Sequence, residues 1–141
     1  MMPCVPIETV DLLASVPLLR DLDRKSLERL ARDFRERRFT EGSVVTSEGQ
    51  PGIGFFVIAE GAASVSVSGE PRASLGPGDY FGEMALIDEK PRSATVVAAT
   101  DMRCLALSAW EFRPFVEENP TVAWALLQIL AKRLRDAQSS G

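Results

Sequence analysis

The sequence GDYFGEMALIDEKPRSATV occupies residues 78–96 and interrupts a rhythm of short β-rich runs. Gly82 allows the backbone to approach a ligand closely, because glycine adopts conformations that side chains forbid. The next residues, 83–87, are predicted to form one short helical turn whose free amides and positive dipole end attract an anion. Arg92 offers a planar fork of donors to phosphate oxygens, and Ser93 adds a hydroxyl beside it. The stretch therefore predicts an anion cradle.

Glu83 narrows the kind of anion that this cradle suits. A carboxylate repels a phosphate unless it serves another group, and an ionised carboxylate can only accept hydrogen bonds. A sugar hydroxyl is the natural donor to it. Phosphate together with ribose indicates a nucleotide.

The residues around this cradle alternate between short apolar runs and turns marked by glycine, proline, serine and aspartate. Connections this short exclude parallel crossovers over most of the region, so we predict an antiparallel sandwich or barrel. The predicted strands are Val44 to Thr46, Phe55 to Ile58, Ala63 to Val67, Ala73 to Leu75, Thr95 to Ala98, and Met102 to Leu107.

Helices are predicted on both sides of these strands. An amphipathic helix from Asp23 to Arg37 begins at a cap supplied by Asp21 or Asp23, and its apolar residues recur at helical spacing. Its predicted buried face comprises Leu27, Leu30, Ala31 and Phe34.

After the last strand, Ser108 and Glu111 have the spacing of a capping box, which starts a short helix to about Glu117. Asn119 is then predicted to cap a second helix, with Pro120 as its first residue, and this helix ends near Gln138. Its predicted apolar face carries Ala123, Leu126, Leu127, Leu130 and Leu134.

The chain has 141 residues, which suits one domain with one core. We predict a single domain over residues 1–141, mainly β with flanking helices. It has an N-terminal helical part at 8–37, an antiparallel β region at 38–107 that includes the cradle at 80–96, and C-terminal helices at 108–138.

Composition restricts the partners and the chemistry. Sixteen Lys and Arg residues against 20 Asp and Glu give a net charge of −4, which repels a polyanion, so no nucleic acid partner is expected. The absence of histidine removes the commonest general base and metal ligand, so we expect no catalytic residue, no metal and no cofactor. Without a long apolar run or a secretory pattern, we expect a cytoplasmic protein that does not span a membrane.

FGEMAL at residues 81–86 and PRSATV at residues 91–96 resemble the phosphate-binding cassette of the cyclic-nucleotide-binding domain family. The likeness extends from residues 16–19 to residues 119–120. The resemblance implies a β-roll flanked by helices that binds cAMP or cGMP. Candidate ligand contacts by this resemblance are Gly82, Glu83, Met84, Ala85, Arg92 and Ser93, to which Phe81 and Arg133 are added.

The resemblance also implies a role for each cassette residue. Glu83 takes the ribose 2′-hydroxyl, while the amides near Met84 and Ala85 and the side chain of Arg92 take the phosphate. Ser93 adds a hydrogen bond that permits cGMP without requiring it. Either Arg133 or Arg135, on the last helix, would reach the ligand or pair with Glu83.

Several large apolar residues are predicted to be packing residues. Apolar residues in short strands are core far more often than ligand contacts. Trp110 and Trp124 suit packing between helices, although either would also cap a base. The predicted core residues are Phe55, Phe56, Leu75, Phe81, Leu86 and Val96.

Three functions are compatible with this pattern. The first is a sensor that relays cyclic nucleotide binding through its C-terminal helices, with a homodimer partner or an effector protein contacting the last helix. The second is an interaction module of the same fold that binds no nucleotide. The third is a cupin-like enzyme, which the missing histidines disfavour because cupin metal ligands are usually histidines.

Overall fold

The structure is a computed structural model that describes residues 7–47, 49, 54–82, 87 and 94–139. Its helices are α1 (Ile7–Ser15), α2 (Arg24–Asp33), α3 (Ala109–Glu118) and α4 (Pro120–Ser139). Its strands are β1 (Arg35–Phe39), β2 (Val44–Thr46), β3 (Gly54–Glu60), β4 (Ala63–Val67), β5 (Glu70–Leu75), β6 (Tyr80–Phe81), β7 (Thr95–Ala98) and β8 (Met102–Ser108).

The strands form two sheets, one with the order β1-β8-β3-β6 and the other with the order β2-β7-β4-β5. All the strand pairs described within these sheets are antiparallel. The predicted antiparallel β-roll with flanking helices is therefore confirmed. The six predicted strands are present, three of them longer than expected, and β1 and β6 are added.

The start of α2 is confirmed at Asp23, whose carboxylate accepts a hydrogen bond from the Ser26 amide at 2.8 Å. A hydrogen bond from the Ser26 side chain and, after it, the one from the Ser26 amide lower the pKa of Asp23, because they stabilise its charged form. The cap satisfies an amide that the first turn of the helix leaves without a partner.

The predicted end of this helix at Arg37 is wrong. The helix ends at Asp33, Phe34 has an extended backbone, and residues 35–39 form the edge strand β1. Strand β1 pairs with β8 from Arg35 opposite Ala106 to Phe39 opposite Met102. Residues 35–38 carry no apolar side chain to extend the helical face, so the hydrogen bonds of the sheet decide their conformation.

The described residues form two hydrophobic cores, one on each face of the sheet that contains β3 and β8. The helix–sheet core lies between this sheet and the helices, and the roll core lies between the two sheets. The helix–sheet core comprises Val10, Leu13, Val16, Leu18, Leu19, Leu27, Leu30, Ala31, Phe34, Phe55, Val57, Leu105, Leu107, Phe112, Phe115, Val122 and Leu126. The roll core comprises Val45, Phe56, Ile58, Ala63, Phe81, Val96, Ala98, Met102 and Cys104.

Four of the predicted core residues are buried, namely Phe55, Phe56, Phe81 and Val96. Leu75 is half-buried at the margin of the roll core, and Leu86 lies outside the described residues. The prediction that Trp110 and Trp124 pack between helices is wrong, because both side chains are largely exposed.

The junction of α3 and α4 follows the predicted sequence signals in most respects. The Glu111 carboxylate accepts a hydrogen bond from the Ser108 amide at 3.3 Å, as the capping box requires, and Pro120 is the first residue of α4. The Asn119 side chain, predicted to cap α4, instead donates to the Phe115 carbonyl at 2.8 Å and closes the end of α3.

The predicted apolar face of α4 is only partly buried. Val122 and Leu126 are buried against the helix–sheet core, whereas Leu127 and Leu134 are exposed. Leu127 is turned by about 100° from Leu126 at 3.6 residues per turn, which places it away from the centre of the buried face. Helix α4 thus has a buried face and a separate exposed apolar stripe.

Candidate functional site

Strand β6 leads directly into the predicted cradle. Tyr80 and Phe81 pair with Val57 and Phe56 of β3, and the Phe81 ring stacks on Phe56 with centroids 5.1 Å apart. Gly82 follows with a φ of 99°, in the left-handed region that side chains rarely adopt. The chain therefore leaves the packed strand β6 at Gly82, the first predicted ligand contact. The backbone conformation there favours glycine.

Hydrogen bonds hold the turn before β6 against β3. The Asp79 carboxylate accepts a hydrogen bond from the Gly76 amide at 2.8 Å, and the Asp79 carbonyl accepts one from the Ile58 amide at 2.9 Å. The Gly78 amide donates to the Ile58 carbonyl at 2.8 Å. Three hydrogen bonds thus fix the approach to Gly82.

The far end of the cradle is anchored on the other sheet. Val96 of β7 is buried in the roll core and pairs with Thr46 of β2 and Val65 of β4. Residues 83–93 therefore connect a strand of one sheet to a strand of the other. The roll core holds both ends of this connection, through Phe81 and Val96.

The predicted site residues divide between described and undescribed parts of the chain. Glu83, Met84, Ala85, Arg92 and Ser93 lie outside the described residues. Of the predicted helical turn at 83–87, the structure describes Ile87 alone, which is helical and exposed.

Phe81, Gly82 and Arg133 are described, and they lie on or beside β6, an edge strand of its sheet. The Phe81 side chain is buried in the roll core. The Arg133 guanidinium of α4 lies 6.0 Å from the centre of the Tyr80 ring, a cation–π distance. Helix α4 therefore passes beside the strand that leads to Gly82.

Tyr80 is a residue that the sequence analysis did not single out. Its ring contacts Arg133 on one element and lies 5.4 Å from the Phe55 ring on another. The Phe55 ring in turn lies 5.5 Å from Phe112 of α3. The sequence offered one signal for this role, a large aromatic residue two positions before the cradle glycine. Its packing partners could not be predicted from the sequence.

Two observations concern reactive side chains among the described residues. Among them, no group of three or more cysteine, aspartate or glutamate side chains is placed to hold a metal ion. Cys104 is a free, buried thiol, and burial raises its pKa from 9.0 to about 11, which opposes formation of the nucleophilic thiolate.

None of the described helices combines the length and the apolar character that crossing a membrane requires.

Comparison with known proteins gives concordant results. Residues 36–119 match the family model described as the cyclic nucleotide-binding domain. A cyclic nucleotide-gated potassium channel of Mesorhizobium japonicum is 42% identical over 112 residues, which cover 79% of this chain and 31% of the channel.

Solved structures agree with the sequence comparison. The crystal structure of the Thermus thermophilus catabolite activator protein has a TM-score of 0.80 and 33% identity, covering 88% of this chain and 61% of that one. The regulatory domain of Toxoplasma gondii PKA, crystallised with cAMP, has a TM-score of 0.78 and 27% identity, covering 91% of this chain and 49% of that one.

The chain belongs to the cyclic nucleotide-binding domain family, as the resemblance at residues 81–96 predicted. The β-roll fold and the assignment to a family of regulatory rather than catalytic domains are confirmed with it. The chain spans about a third of the length of the channel relative and less than two thirds of each of the two solved relatives.

Proposed function

We propose that this domain is a receptor for a cyclic nucleotide, cAMP or cGMP, and that ligand binding is relayed through its C-terminal helices. The observation that carries the proposal is the left-handed backbone of Gly82, placed where β6 enters the segment that resembles the cassette. Family membership supports the same conclusion.

The proposed contacts follow the chemistry of the ligand. Glu83 accepts a hydrogen bond from the ribose 2′-hydroxyl, and the amides of Met84 and Ala85 with the Arg92 guanidinium bind the cyclic phosphate. Ser93 supplies one further hydroxyl. These assignments come from the sequence motif, and the structure contributes the anchoring of the segment at Gly82 and β7.

We propose cAMP or cGMP as the ligand and leave the choice of base to the titration. The Toxoplasma relative was crystallised with cAMP, which favours that ligand. The hydroxyl of Ser93 is equally able to accept a hydrogen bond from the exocyclic amine of guanine.

The proposed relay runs through aromatic contacts. Tyr80 lies on the strand that enters the cradle, its ring contacts Phe55, and Phe55 contacts Phe112 of α3. Helix α4 begins after Asn119 and touches Tyr80 through Arg133. A ligand that binds better to one arrangement of these helices shifts the population toward it, by as much as its affinities differ.

In this proposal the whole of residues 1–141 acts as one cytoplasmic domain that performs no reaction on the nucleotide. The net charge of −4 opposes nucleic acid as a direct partner. The signal passes to an effector protein or to a second copy of the chain, for which the exposed side of α4 is available.

Titration calorimetry of the chain with cAMP and then with cGMP tests the proposal. We expect Arg92→Ala to weaken binding by about 2 to 5 kcal/mol, because it leaves a partly buried phosphate charge unpaired. Glu83→Ala should cost less, about 1 to 3 kcal/mol, since it removes one hydrogen bond to a charged acceptor.

Arg20→Ala is the matched control, because Arg20 is an exposed arginine on the N-terminal side of α2. Equal affinity in the Arg92→Ala and Arg20→Ala proteins would show that the phosphate binds elsewhere. Thermal unfolding of each variant separates loss of the ligand contact from loss of the fold.

A second candidate function is an interaction module that binds no nucleotide. The observation that favours it is the exposed apolar stripe of α4, formed by Trp124, Leu127 and Leu134. Absence of binding heat with both nucleotides in the folded wild-type chain would select this function.

A further inference from the structure

A groove of about 300 Å³ opens between α2 and α3, on the helical side of the molecule. Leu30 and Phe115 supply buried apolar lining and belong to the helix–sheet core, and Pro114 adds an exposed apolar surface. None of the described lining residues belongs to β6 or to the cradle. The groove is therefore separate from the proposed nucleotide site.

Trp110 lines this groove with 81% of its surface exposed, more than any other large apolar side chain described. Within the described part of the chain, no aromatic ring or guanidinium stacks on its indole. An exposed tryptophan beside an apolar groove is typical of an interaction surface, because a large ring contributes strongly when a partner buries it.

The charged side chains of the groove are mostly acidic. Asp33, Glu111 and Glu118 line it together with one arginine, Arg29, so three carboxylates and one guanidinium give a formal charge of −2. Asp33 and Glu118 form no ion pair with another described residue. The groove therefore favours a partner that carries positive charge.

Two acceptor groups of the groove are held in place by hydrogen bonds. The Glu111 Oε1 atom accepts from the Ser108 amide at 3.3 Å and from the Ser108 hydroxyl, and its Oε2 atom has no donor among the described residues. The Asn119 side chain donates to the Phe115 carbonyl at 2.8 Å, and its oxygen likewise has no donor among these residues. Both free oxygens are available to a donor from a partner.

Pro114 adds a further acceptor beside them. It lies inside α3 and has no amide N–H, so the Trp110 carbonyl, four residues earlier, lacks its usual helical donor. The groove thus presents several oxygen acceptors next to an exposed aromatic ring. A positively charged group with many N–H donors and a flat face complements this combination.

We propose that the groove between α2 and α3 binds an arginine side chain of a partner protein. The guanidinium stacks on the Trp110 ring and donates hydrogen bonds to the Glu111 and Glu118 carboxylates, while its aliphatic stem packs on Pro114. Arginine suits the groove better than lysine, because its planar group carries five donors and stacks on aromatic rings.

The arginine belongs to a protein segment rather than to the free amino acid. Free arginine carries an α-carboxylate, which the negative lining of the groove repels, whereas a peptide bond removes that charge. Trp110 and Pro114 also expose apolar surface on which an apolar neighbour of the arginine packs. Aromatic and arginine side chains are enriched together in the cores of protein interfaces.

A nuclear magnetic resonance titration of the 141-residue chain with the peptide acetyl-Ala-Leu-Arg-Leu-Ala-amide tests the proposal. The chain has two tryptophans, so Trp124→Phe leaves one indole N–H signal and assigns it to Trp110. We expect the Trp110 signal of wild type to shift and saturate at roughly 1 to 10 mM peptide, while the Trp124 signal stays in place. No nucleotide is present, so the result does not depend on the proposed receptor function.

Matched probes separate recognition of a guanidinium from attraction of positive charge. The same peptide with lysine in place of arginine should bind about threefold more weakly, because it loses most of the stacking on Trp110. The peptide with glutamine at this position should cause no saturable shift. Free arginine should bind more weakly than the blocked peptide.

The groove variant Glu111→Gln/Glu118→Gln removes two charges and keeps the capping box, in which glutamine serves as glutamate does. It should bind the arginine peptide at least about fivefold more weakly. The matched control is Glu41→Gln/Glu70→Gln, which neutralises two exposed carboxylates outside the groove and should bind as wild type does. Circular dichroism of both variants checks that the helices are retained.

Four results would overturn the proposal. The Trp110 signal stays in place up to roughly 10 mM peptide, a concentration at which even weak specific contacts form. The arginine and lysine peptides bind equally well, which would indicate attraction of charge alone. The groove variant binds as tightly as wild type. Free arginine binds as tightly as the peptide, which would make the groove a small-molecule site.

Discussion

The helix–sheet core and the roll core use alternate residues of the same strands. In β3, Phe55 and Val57 face the helices, whereas Phe56 and Ile58 face the second sheet. In β8, Leu105 and Leu107 belong to the first core, and Cys104 to the second. A strand buried on both faces has a continuous apolar sequence, so its two faces cannot be told apart by hydrophobicity.

The two cores hold different parts of the molecule together. The helix–sheet core contains residues from α1 to α4 and thus fixes the elements that would transmit a signal. The roll core joins the two sheets and contains Phe81 and Val96, which flank residues 82–95. We therefore expect a substitution in the helix–sheet core to affect the helices, and a substitution in the roll core to affect the ligand segment.

The largest expected effects come from a matched pair, Phe55→Ala and Phe56→Ala. Both side chains are buried, so each replacement should lower the free energy of unfolding by about 3 to 5 kcal/mol. Hydrogen exchange should then differ, with faster exchange in α2 and α3 for Phe55→Ala and in β6 and β7 for Phe56→Ala. The same exchange pattern in both variants would show that the two cores behave as one unit.

A pH titration of the free energy of unfolding tests the roll core separately. Because burial raises the pKa of Cys104 to about 11, the folded state favours the neutral thiol. The unfolded chain releases this proton first as the pH rises above 9.0, so stability should fall by about 2 kcal/mol as the pH rises from 9.0 to about 11.

Cys104→Ala provides the reference for this titration, since it removes the thiol while other groups that titrate in alkali remain. The loss of stability between these pH values should be smaller in the variant, as measured by urea unfolding at each pH. An identical loss in both proteins would assign the alkaline transition to other groups.

The smallest expected effect concerns the cap of α2, on the helix–sheet side. Asp23→Ala removes the acceptor for the Ser26 amide and should lower the melting temperature less than either phenylalanine replacement. The lowered pKa of Asp23 means that its contribution is present above pH 3.8 and is lost as the pH falls further.

Thermal unfolding at neutral and acidic pH checks this prediction against Asp21→Ala. Asp21 was the alternative cap in the sequence, and the structure gives that role to Asp23. A larger loss in Asp21→Ala than in Asp23→Ala would contradict the observed cap.

Features set by neighbours along the chain were predicted well. The cap at Asp23, the pairing of Ser108 with Glu111, and Pro120 at the start of α4 depend on spacings of a few residues. The six predicted strands were recognisable because turn residues bound each apolar run. The cassette motif identified the family, although the side-chain positions of Glu83 and Arg92 stay predictions.

Features set by distant partners were missed. Residues 35–39 form a strand because β8, more than sixty residues away in sequence, supplies their hydrogen-bond partners. Trp110 and Trp124 have the apolar character of core residues, and only the arrangement of α2, α3 and α4 leaves them exposed. Helical spacing predicts which residues share a face of a helix. It does not predict which face packs against the rest of the protein.

From the sequence alone followed the class of fold, the capping box at Ser108 and Glu111, six of the eight described strands and the family, because each depends on local geometry or on a contiguous motif. The tertiary structure alone decided which side of β3 and α4 is buried, where Tyr80 joins α3 and α4, and that a groove opens between α2 and α3. This is because a surface is buried only by contact with another surface, and distant parts of the chain come into contact only when the chain folds.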